Sequence, residues 1–536
     1  MLNAPDQKIP LWLTPLSGIL LFASWPVSPF TFLIFIAWLP LLWIDLHTQR
    51  TNRFFWIAFL NLVIWNIATT WWIWFSTSVG AVGAIFANSI IMCFPVMTYR
   101  FVRRKTNLHF GLVSLVAFWI TYEFIHHNWD LSWPWLTLGN VFATRPGWVQ
   151  WYEFTGTTGG TLWVWIVNIL LFYLLLQKHT GKLKTKSAIA ATAIFLPLLI
   201  SIGVTPKAAD TSTSPNVVVV QPNVEPYTEK FTTPPELLVK DLMSQTTKSS
   251  DASTALVIWP ETAIPGNLWE NHMETAEILI PIRQWFENHP DNSLVTGIES
   301  LFFFGTEKPD RFSIRTMDDG NHYEAYNTAL YIQDAKPLAT YHKAKLVPGV
   351  ETLPSWLAFM GGLFDDLGGI TGSLGRSEGA SVFSSAGNPY RSAPIICYES
   401  IYSDYVTEYV RNGANLLTVI TNDGWWKETP GHRQHMHMSR LRAIENRRWV
   451  ARSANTGISC FINEKGEVLK RLEWEAKGAL KMNVPVLNEM TFYSRNGDWL
   501  SRAIWPLAIL LFTLSFFHKR LFKNLKDQNN DVNIPI

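Results

Sequence analysis

Cysteine and charged residues are both scarce in this sequence of 536 residues. Only three cysteines are present, and no two of them have the C-x-x-C spacing of a zinc site. We therefore expect neither a disulfide framework nor a cysteine-based metal centre. Asp, Glu, Lys and Arg make up 16% of the chain, against roughly 25% in ordinary soluble domains. This composition argues against a wholly soluble protein.

Aromatic and apolar residues are abundant instead. Hydrophobic residues make up 48% of the chain, and the sequence contains 27 Trp and 33 Phe residues. Aromatic rings concentrate at the interface between a membrane and water, so the composition predicts an integral membrane protein with a soluble domain. No basic tract mixed with stacking aromatic residues is present, and a nucleic-acid partner is therefore not expected.

Hydrophobic segments predict about eight transmembrane helices. A spanning helix needs about 20 apolar residues, with a range of about 17 to 25. The first two segments are short, so we expect them to be tilted or paired. The segments are residues 11–27, 29–46, 54–76, 79–99, 109–127, 161–177, 187–204 and 499–517.

The loops between these segments differ in charge, which predicts the orientation of the chain. If residues 1–10 face the cytoplasm, the cytoplasmic side receives 15 cationic residues, whereas the opposite loops before residue 205 contain only Arg145. Cytoplasmic loops are rich in Lys and Arg, so both termini are predicted to lie in the cytoplasm. The 15 residues are Lys8, Arg50, Arg53, Arg100, Arg103, Arg104, Lys105, Lys178, Lys182, Lys184, Lys186, Lys519, Arg520, Lys523 and Lys526.

Three domains are predicted from this pattern. Residues 1–204 form a transmembrane domain with seven spans, residues 205–495 form an extracytoplasmic domain, and residues 496–536 contain the last span and a basic cytoplasmic tail. In the middle domain short apolar strands alternate with helical patterns, which predicts an α/β sandwich with helices outside the sheets. The predicted strands include 217–220, 256–258, 294–296, 395–396 and 416–420, and the predicted helices are 235–244, 274–288 and 433–448.

Three fragments of the middle domain each place an ionisable residue after a strand-like run. They are Trp259-Pro260-Glu261, Tyr341-His342-Lys343 and Ile396-Cys397-Tyr398-Glu399. A thiol nucleophile, a carboxylate base and a lysine are sufficient for acyl transfer through a thioester. Taken singly, such residues are more often a helix-start carboxylate, a surface lysine and a buried structural thiol. Their combination favours a reactive centre.

Cys397 is the predicted nucleophile. The apolar run before it predicts a strand-to-turn junction, where the side chain is exposed and the following backbone N–H can point at an oxyanion. A free thiol has a pKa of about 8.5, so it is mostly protonated at neutral pH. Lys343 could favour the thiolate and stabilise the oxyanion, while Glu261 takes the thiol proton. Cys93 and Cys460 lie in apolar runs and are expected to be buried structural cysteines.

Three histidines share one charged helical segment. His432, His435 and His437 lie near Arg433 and Arg440, which indicates a solvated or substrate-facing surface. We expect no metal and no cofactor in this protein.

Two further segments are candidates for membrane contact. The loop at 128–151 contains five tryptophans, which predicts an aromatic belt at the outer headgroup level, with the floor of a lipid-access groove as the alternative. Residues 353–370 form an apolar, glycine-containing loop. It is interpreted either as a mobile lid that dips into lipid or as a loop packed on its own domain.

The order of Glu261, Lys343 and Cys397 resembles that of the carbon–nitrogen hydrolase (nitrilase) superfamily. Nearly the whole chain is similar to the membrane-embedded branch of that superfamily, the apolipoprotein N-acyltransferase family. The resemblance implies a nitrilase-like αββα sandwich in which Glu261 is the base, Lys343 the catalytic lysine and Cys397 the nucleophile. The matching motifs are Val257-Ile258-Trp259-Pro260-Glu261-Thr262, Tyr341-His342-Lys343-Ala344-Lys345-Leu346-Val347-Pro348, Ile396-Cys397-Tyr398-Glu399, Thr421-Asn422-Asp423-Gly424-Trp425-Trp426, Gln434-His435, Arg442-Ala443-Ile444-Glu445 and Arg452-Ser453-Ala454-Asn455-Thr456-Gly457.

The resemblance also implies auxiliary residues and a choice between two lysines. Its auxiliary residues are Glu351, Tyr398 and Glu399. Lys345 competes with Lys343 for the catalytic role, and the family spacing from the lysine to Leu-Val-Pro and to the later Glu favours Lys343.

Two segments depart from the family pattern. The family usually reads Val-Pro-Phe-Gly-Glu where this chain has Val347-Pro348-Gly349-Val350-Glu351, which leaves the lining near the lysine open. It reads Asn-Asp-Ala-Trp-Phe-Gly where this chain has Asn422-Asp423-Gly424-Trp425-Trp426-Lys427, which leaves the acceptor contacts open.

The resemblance implies a two-step acyl transfer at the outer face of a bacterial inner membrane. Cys397 would take a fatty acyl chain from a membrane phospholipid, and the free amine of the diacylglyceryl-cysteine of an apolipoprotein would then attack the thioester. We expect a monomer embedded in the membrane.

Two alternatives compete with this function. A membrane-tethered amidase or nitrilase would resolve the same thioester with water and would use the same three residues. A transporter with a binding domain is disfavoured, because few charges lie within the spans beyond Glu123 and Asp45, and both are near span ends.

Overall fold

A computed structural model describes residues 8–176, 183–333, 336–353 and 373–521. The predicted apolar loop at 353–370 lies outside these residues after Leu353, as does the predicted basic tail after Leu521. The chain forms a helical part before residue 205, an α/β domain, and a last long helix.

The helical parts contain eight α-helices in the described residues. Two short 3₁₀ segments, Thr31–Phe35 and Trp71–Phe75, connect some of them. The helices are α1 (Leu16–Ser24), α2 (Leu39–His47), α3 (Thr51–Thr70), α4 (Ser78–Lys105), α5 (Leu108–His127), α6 (Tyr152–Leu176) and α7 (Leu183–Val204), with α14 (Trp499–Leu521) after the α/β domain.

Six helices in the described part of the chain are long and apolar enough to cross a membrane. They correspond to the last six of the eight predicted segments. The first two predicted segments form shorter apolar helical stretches, Leu11–Ser24 and Thr31–His47. At 1.5 Å per residue an unbroken helix of this length is too short for a hydrocarbon core of about 30 Å. The count of eight spans therefore stays a prediction for these two segments.

The α/β domain contains two β-sheets. An eight-stranded sheet has the order β13-β1-β2-β4-β6-β5, with β3 paired to β4 and β7 paired to β6, and a five-stranded sheet has the order β12-β11-β10-β9-β8. The strands are β1 (Asn216–Gln221), β2 (Thr254–Ile258), β3 (Ile264–Trp269), β4 (Ser293–Gly305), β5 (Arg315–Thr316), β6 (His322–Gln333), β7 (Lys336–His342), β8 (Ser392–Ile396), β9 (Leu416–Thr421), β10 (Trp449–Ala454), β11 (Cys460–Ile462), β12 (Val468–Arg471) and β13 (Gly478–Asn483).

The helices of this domain cover the outer faces of the two sheets. On the larger sheet, Val218 and Val220 of β1 share a core with Val239 and Leu242. On the smaller sheet, the helix at residues 403–411 packs against β8 and the helix at residues 430–446 packs against β10. The predicted α/β sandwich with helices outside is confirmed. The helices are α8 (Glu229–Thr232), α9 (Pro235–Ser249), α10 (Ile280–Glu287), α11 (Ser403–Arg411), α12 (Pro430–Asn446) and α13 (Phe492–Asn496).

The central strands form because β-branched and apolar runs are buried on both faces. All residues of β1, β2, β8 and β9 are buried. Such runs suit parallel strands that are covered on both sides. The predictions for these strands were correct, because burial on both faces leaves a continuous apolar signal in the sequence.

Two helix predictions need correction. The segment predicted as one helix at 274–288 is helical as α10 only over Ile280–Glu287, preceded by 3₁₀ turns. Pro281 lies at the start of α10, where a proline is favoured because the first helical N–H has no partner in the helix. The helix predicted at 433–448 begins earlier, at Pro430, and ends at Asn446, since Arg447 adopts a left-handed conformation.

Helix α12 is the layer between the smaller sheet and the helical part. Gln434 donates a hydrogen bond to the carbonyl oxygen of Thr69 in α3, at 3.3 Å. Trp135, in the loop after α5, donates its indole N–H to Gln434 Oε1 at 2.7 Å. The α/β domain is thus fixed to the helical part through buried polar contacts.

Candidate active site

Glu261 lies in the turn after β2. Its side chain is buried, and its Oε2 accepts a hydrogen bond from the backbone N–H of Asn422 at 3.0 Å. Its Oε1 accepts from Asn327 Nδ2 at 2.8 Å. The turn itself is fixed because the N–H of Gly297 donates to the carbonyl oxygen of Pro260 at 3.0 Å. Three separate segments therefore hold this carboxylate.

Lys343 directly follows β7 and is 1% exposed. Its Nζ lies 2.7 Å from Glu351 Oε1 and 3.2 Å from Glu261 Oε1. Its backbone N–H donates to the carbonyl oxygen of Asn327 at 2.9 Å. Burial by itself would lower the pKa of Lys343, but Glu261 and Glu351 raise it above its ordinary value. The side chain is therefore a fixed buried cation.

Glu351 lies in the turn after the lysine and completes the buried carboxylate pair. Its Oε2 accepts the backbone N–H of Val347 at 2.8 Å, and its Oε1 accepts from Asn327 Nδ2 at 3.2 Å. The turn contains Gly349 with φ of +78°, a conformation that glycine adopts without the steric cost of a Cβ. The departure from the family pattern thus places the glycine where a tight turn requires it.

Cys397 begins a 3₁₀ turn, Cys397–Ile401, directly after β8. The predicted strand-to-turn junction is correct, but the predicted exposure is wrong, because the residue is only 7% exposed. Its φ is +47°, in a region that a residue with a Cβ rarely occupies. Burial, and then Glu261, raises the pKa of this thiol, while Lys343 lowers it. A thiol whose pKa is raised reacts as a nucleophile only after a base removes its proton.

Glu399 connects the 3₁₀ turn Cys397–Ile401 (the cysteine turn) to the segment that follows Lys343. Its Oε1 accepts the backbone N–H of Ala344 at 2.7 Å and the hydroxyl of Tyr341 at 2.6 Å. Its Oε2 accepts the backbone N–H of Ile396 at 2.8 Å and the hydroxyl of Tyr409 at 3.1 Å. The carboxylate is fully buried. It fixes the segments on which Lys343 and Cys397 lie.

Tyr398 connects the cysteine turn to the loop after α5. Its hydroxyl donates to the carbonyl oxygen of Ser132 at 2.8 Å, and its ring stacks on Trp133 at 6.0 Å between centroids. Trp135 is fully buried against α12. The aromatic-belt interpretation is therefore wrong for the fully buried Trp135 and stays a prediction for Trp133, which is partly exposed.

The histidine-rich segment does not form a solvated surface. His435 is fully buried, and His432 is 3% exposed. His435 Nδ1 lies 2.9 Å from Asp423 Oδ1, and Arg452 Nη2 lies 2.7 Å from Asp423 Oδ2. Polar residues are rarely buried this completely unless they are paired. The charged residues of the segment therefore led to a wrong prediction of a solvated surface.

Lys345 lies outside the buried cluster formed by Lys343, Glu261 and Glu351. Its Nζ lies 5.4 Å from the ring centroid of Tyr402 and 5.2 Å from that of Tyr405. Burial lowers its pKa, while Glu408 opposes this. The contacts with Glu261 and Glu351 thus belong to Lys343.

Two asparagines of the cluster had no assigned role in the sequence. Asn327 bonds both Glu261 and Glu351, and the N–H of Asn422 bonds Glu261. Asn422 belongs to one of the matching motifs, which was its only signal. Asn327 lies inside β6, where nothing in the local pattern marks it.

Both parts of the chain match models of known protein families. Residues 218–487 match the carbon–nitrogen hydrolase family, and residues 17–170 match the apolipoprotein N-acyltransferase N-terminal domain. The apolipoprotein N-acyltransferase of Chlorobaculum tepidum is 32% identical over 527 residues, which cover 95% of this chain and 97% of that one. The apolipoprotein N-acyltransferase of Thermotoga maritima is 26% identical over 76% of this chain and 71% of that one. An amidase structure from Nesterenkonia, of the nitrilase superfamily, is 16% identical and covers 56% of this chain and 99% of that one, with a TM-score of 0.37.

The fold and the family match define a domain of the carbon–nitrogen hydrolase class attached to long apolar helices. Its two sheets bring a thiol, a lysine and two carboxylates to one buried place. The match to Chlorobaculum extends over both the helical part and the α/β domain. The chain belongs to the apolipoprotein N-acyltransferase family.

Proposed function

We propose that this protein transfers a fatty acyl chain from a membrane phospholipid to the N-terminal amine of the diacylglyceryl-cysteine of apolipoproteins. The observation that carries the proposal is the buried contact of Lys343 with Glu261 and Glu351, next to Cys397. Family membership supports the reaction class, and the long apolar helices support a site at the membrane.

In the first half-reaction, Glu261 takes the proton of the Cys397 thiol and the sulfur attacks the ester carbonyl of the phospholipid. The negative charge that develops on the carbonyl oxygen is stabilised by Lys343, a cation that is already in place and needs no reorganisation. The ester C–O bond then breaks. Glu261 returns its proton to the departing alkoxide, and a lysophospholipid leaves while the acyl group stays on sulfur.

In the second half-reaction, the free amine of the apolipoprotein attacks the thioester carbonyl. Glu261 accepts a proton from the amine, Lys343 again faces the oxyanion, and the C–S bond breaks. The Cys397 sulfur then recovers a proton from Glu261. One base thus serves both halves, because each half both removes and returns one proton.

For the topology we infer eight spans, both termini in the cytoplasm, and the α/β domain on the periplasmic side of a bacterial inner membrane. The support is the unequal distribution of Lys and Arg between the two sets of loops. With both substrates in the lipid layer, the contact of α12 with Thr69 and Trp135 supports a site close to the membrane surface.

The testing experiment incubates the detergent-purified protein with a labelled phospholipid in the absence of an amine acceptor. A fatty-acyl mass increase is expected on the peptide that contains Cys397, together with stoichiometric lysophospholipid. Hydroxylamine should release the adduct. A diacylated lipopeptide with a free amino terminus should discharge it, whereas the N-acetylated form should not.

Two controls make this experiment decisive. Cys397→Ala should form no adduct, while Cys460→Ala, which removes a buried thiol from β11, should form it normally. If free fatty acid accumulates instead, at a rate indifferent to the lipopeptide, the protein is a hydrolase and the proposal is wrong.

A further inference from the structure

A buried chain of polar residues connects α12 to the 3₁₀ turn that begins at Cys397. His435 projects from α12, and its Nε2 lies 2.8 Å from Ser400 Oγ and 3.1 Å from the carbonyl oxygen of Cys397. Ser400 Oγ lies 2.7 Å from the same carbonyl oxygen. Neither Glu261 nor Lys343 contacts this histidine among the described residues, so the two half-reactions above leave it without a role.

The orientation of the His435 ring is set by contacts on its Nδ1 side. Its Nδ1 lies 2.9 Å from Asp423 Oδ1. Asp423 also accepts from Arg452 Nη2 at 2.7 Å and from Thr421 Oγ1 at 3.0 Å. Arg452 Nη2 also lies 3.0 Å from His435 Nδ1 and can only donate, so Nδ1 accepts from Arg452, which Asp423 holds in place, and Nε2 carries the ring proton as the donor. Nε2 is then directed at Ser400 and Cys397.

The order aspartate, histidine, serine is that of a hydrolase triad, but the serine has no access to substrate. Asp423, His435 and Ser400 are all fully buried. A nucleophile must reach its substrate, and Ser400 Oγ faces the peptide carbonyl of Cys397 instead. The chain of contacts therefore ends on the backbone of the nucleophile.

The peptide between Cys397 and Tyr398 has a strained backbone conformation and a fixed orientation. Cys397 has φ of +47°, and a non-glycine residue keeps such a conformation only where its surroundings hold it. The carbonyl of Cys397 and the N–H of Tyr398 belong to one planar trans peptide and point in opposite directions. Holding the carbonyl towards His435 therefore directs the N–H of Tyr398 away from it. That N–H is among the first of a 3₁₀ turn, which leaves it without a partner in the turn.

We propose that Asp423, His435 and Ser400 form a positioning relay that fixes the Cys397–Tyr398 peptide, so that the N–H of Tyr398 serves with Lys343 as an oxyanion donor. His435 is the positioning residue and transfers no proton to the substrate. The inference rests on the proposed thioester chemistry, because an oxyanion forms only when Cys397 attacks a carbonyl.

Two replacements of His435 separate this role from a purely structural one. His435→Gln can place a polar group at the position of Nε2, next to Ser400, but loses the contact with Asp423. His435→Asn can keep the contact with Asp423 at the position of Nδ1, but does not reach Ser400. If His435 acts through Ser400, His435→Gln should be the active variant. If His435 only packs around Asp423 and Arg452, His435→Asn should be the active variant.

The measurement is the single-turnover rate of thioester formation with phospholipid, at saturating and at limiting donor. Loss of one oxyanion donor costs about 10²–10³ in rate. We expect His435→Asn and His435→Ala to lose at least about 10² in the saturated rate with unchanged apparent donor affinity. His435→Gln should recover to within about tenfold of the wild-type rate. His432→Gln is the matched control and should react normally, because His432 lies in the same helix but packs against Trp474, with 4.6 Å between the ring centroids.

A second measurement uses a reaction of Cys397 in which no oxyanion forms. Alkylation of Cys397 by iodoacetamide involves no carbonyl addition, so its rate should be the same in the wild type and in all three His435 variants. Recovery by Asn but not by Gln, or wild-type acylation rates in both, would overturn the relay. If the His435 variants do not fold, Ser400→Ala decides: about a tenfold loss of the saturated acylation rate supports the relay, and an unchanged rate overturns it.

Failure of the relay is distinguishable from failure of the proposed function. If the wild-type protein forms no adduct with phospholipid, the acyl-transfer proposal fails. The same variants are then compared with an activated p-nitrophenyl ester as acyl donor, which tests the oxyanion geometry without requiring a lipid substrate.

Discussion

Lys343 Nζ lies closer to Glu351 than to Glu261, at 2.7 Å against 3.2 Å. The shorter ion pair anchors the ammonium group on a carboxylate that is itself fixed by the N–H of Val347. Glu261 keeps its Oε2 on the N–H of Asn422 and shares the lysine only through Oε1. In the proposed mechanism, this division leaves Glu351 to hold the cation while Glu261 exchanges a proton with Cys397.

Replacing Glu351 with Gln should slow thioester formation without abolishing it. The amide oxygen can still accept the N–H of Val347, but the anionic anchor of Lys343 is lost, so the ammonium group shifts towards Glu261. We expect a loss of about 10–10² in the single-turnover rate, smaller than for loss of the oxyanion donor itself. Glu464→Gln is the control, because Glu464 is a buried carboxylate bonded to Trp449 in the smaller sheet and should react at the wild-type rate. Equal rates for both variants would contradict the anchor role.

The two lysines of the motif should respond differently to replacement by Met. Lys343→Met removes an oxyanion contact worth about 10²–10³ in rate. It also leaves Glu261 and Glu351 buried without a counter-charge, a loss of about 3–5 kcal/mol in the free energy of unfolding. Lys345→Met removes the contacts with Tyr402 and Tyr405, worth about 0.5–1 kcal/mol. Single-turnover kinetics and thermal unfolding in detergent measure both effects, and similar small losses for the two variants would exclude Lys343 as the electrostatic partner.

Glu399→Gln should reduce both stability and activity. The carboxylate accepts from the backbone N–H groups of Ala344, Lys345 and Ile396 and from two tyrosine hydroxyls, whereas an amide would turn its own donor towards the donors on one side. Hydrogen bonds to a charged group are worth about 1.5–3 kcal/mol each, so a loss of about 2–3 kcal/mol in the free energy of unfolding is expected. Tyr409→Phe, which removes only one hydroxyl, should cost about 1 kcal/mol. A Glu399→Gln variant as stable as the wild type would show that this tie is not needed.

Asp423 should make stability depend on pH in the acid range. Burial alone would raise the pKa of Asp423, but Arg452 and His435 lower it below its ordinary value. The unfolded chain therefore binds a proton at a pH where the folded chain does not. The stabilisation is complete above about pH 4 and is lost as the pH falls below it.

The comparison of wild type with Asp423→Asn isolates this contribution. The melting temperature of the variant should be lower at pH 7, because Arg452 loses its buried partner at a cost of about 3–5 kcal/mol. The difference between the two proteins should shrink as the pH falls from 4 to 3. A difference that stays constant from pH 7 to pH 3 would contradict the assignment.

Labelling of single cysteines should establish the topology. Cysteines introduced at Asp130 and Ser212, both exposed, should react with a membrane-impermeant maleimide added to intact spheroplasts. A cysteine at the exposed Lys105 should react only after permeabilisation. A cytoplasmic signal from Ser212 would overturn the periplasmic placement and the lipoprotein hypothesis with it.

The extent of successful prediction differed between the fold and the site. The strands β1, β2, β8 and β9 were predicted because burial on both faces leaves a continuous apolar run. The helix α12 was placed on the surface because its polar residues outnumber its apolar ones, although 13 of its residues are buried. A buried polar residue is indistinguishable from an exposed one until its partner is known.

By itself, the sequence determined the apolar segments, the alternation of strands and helices, and the three reactive fragments. These are local properties, since hydrophobic length and periodicity depend only on neighbouring residues. The tertiary structure alone decided that Lys343 meets Glu261 across 82 positions of sequence, that Asn327 joins the two carboxylates, and that His435 lies behind Cys397. The physical reason is that a hydrogen bond or an ion pair requires two groups within about 3 Å, and that distance is set by how the two sheets and α12 pack together.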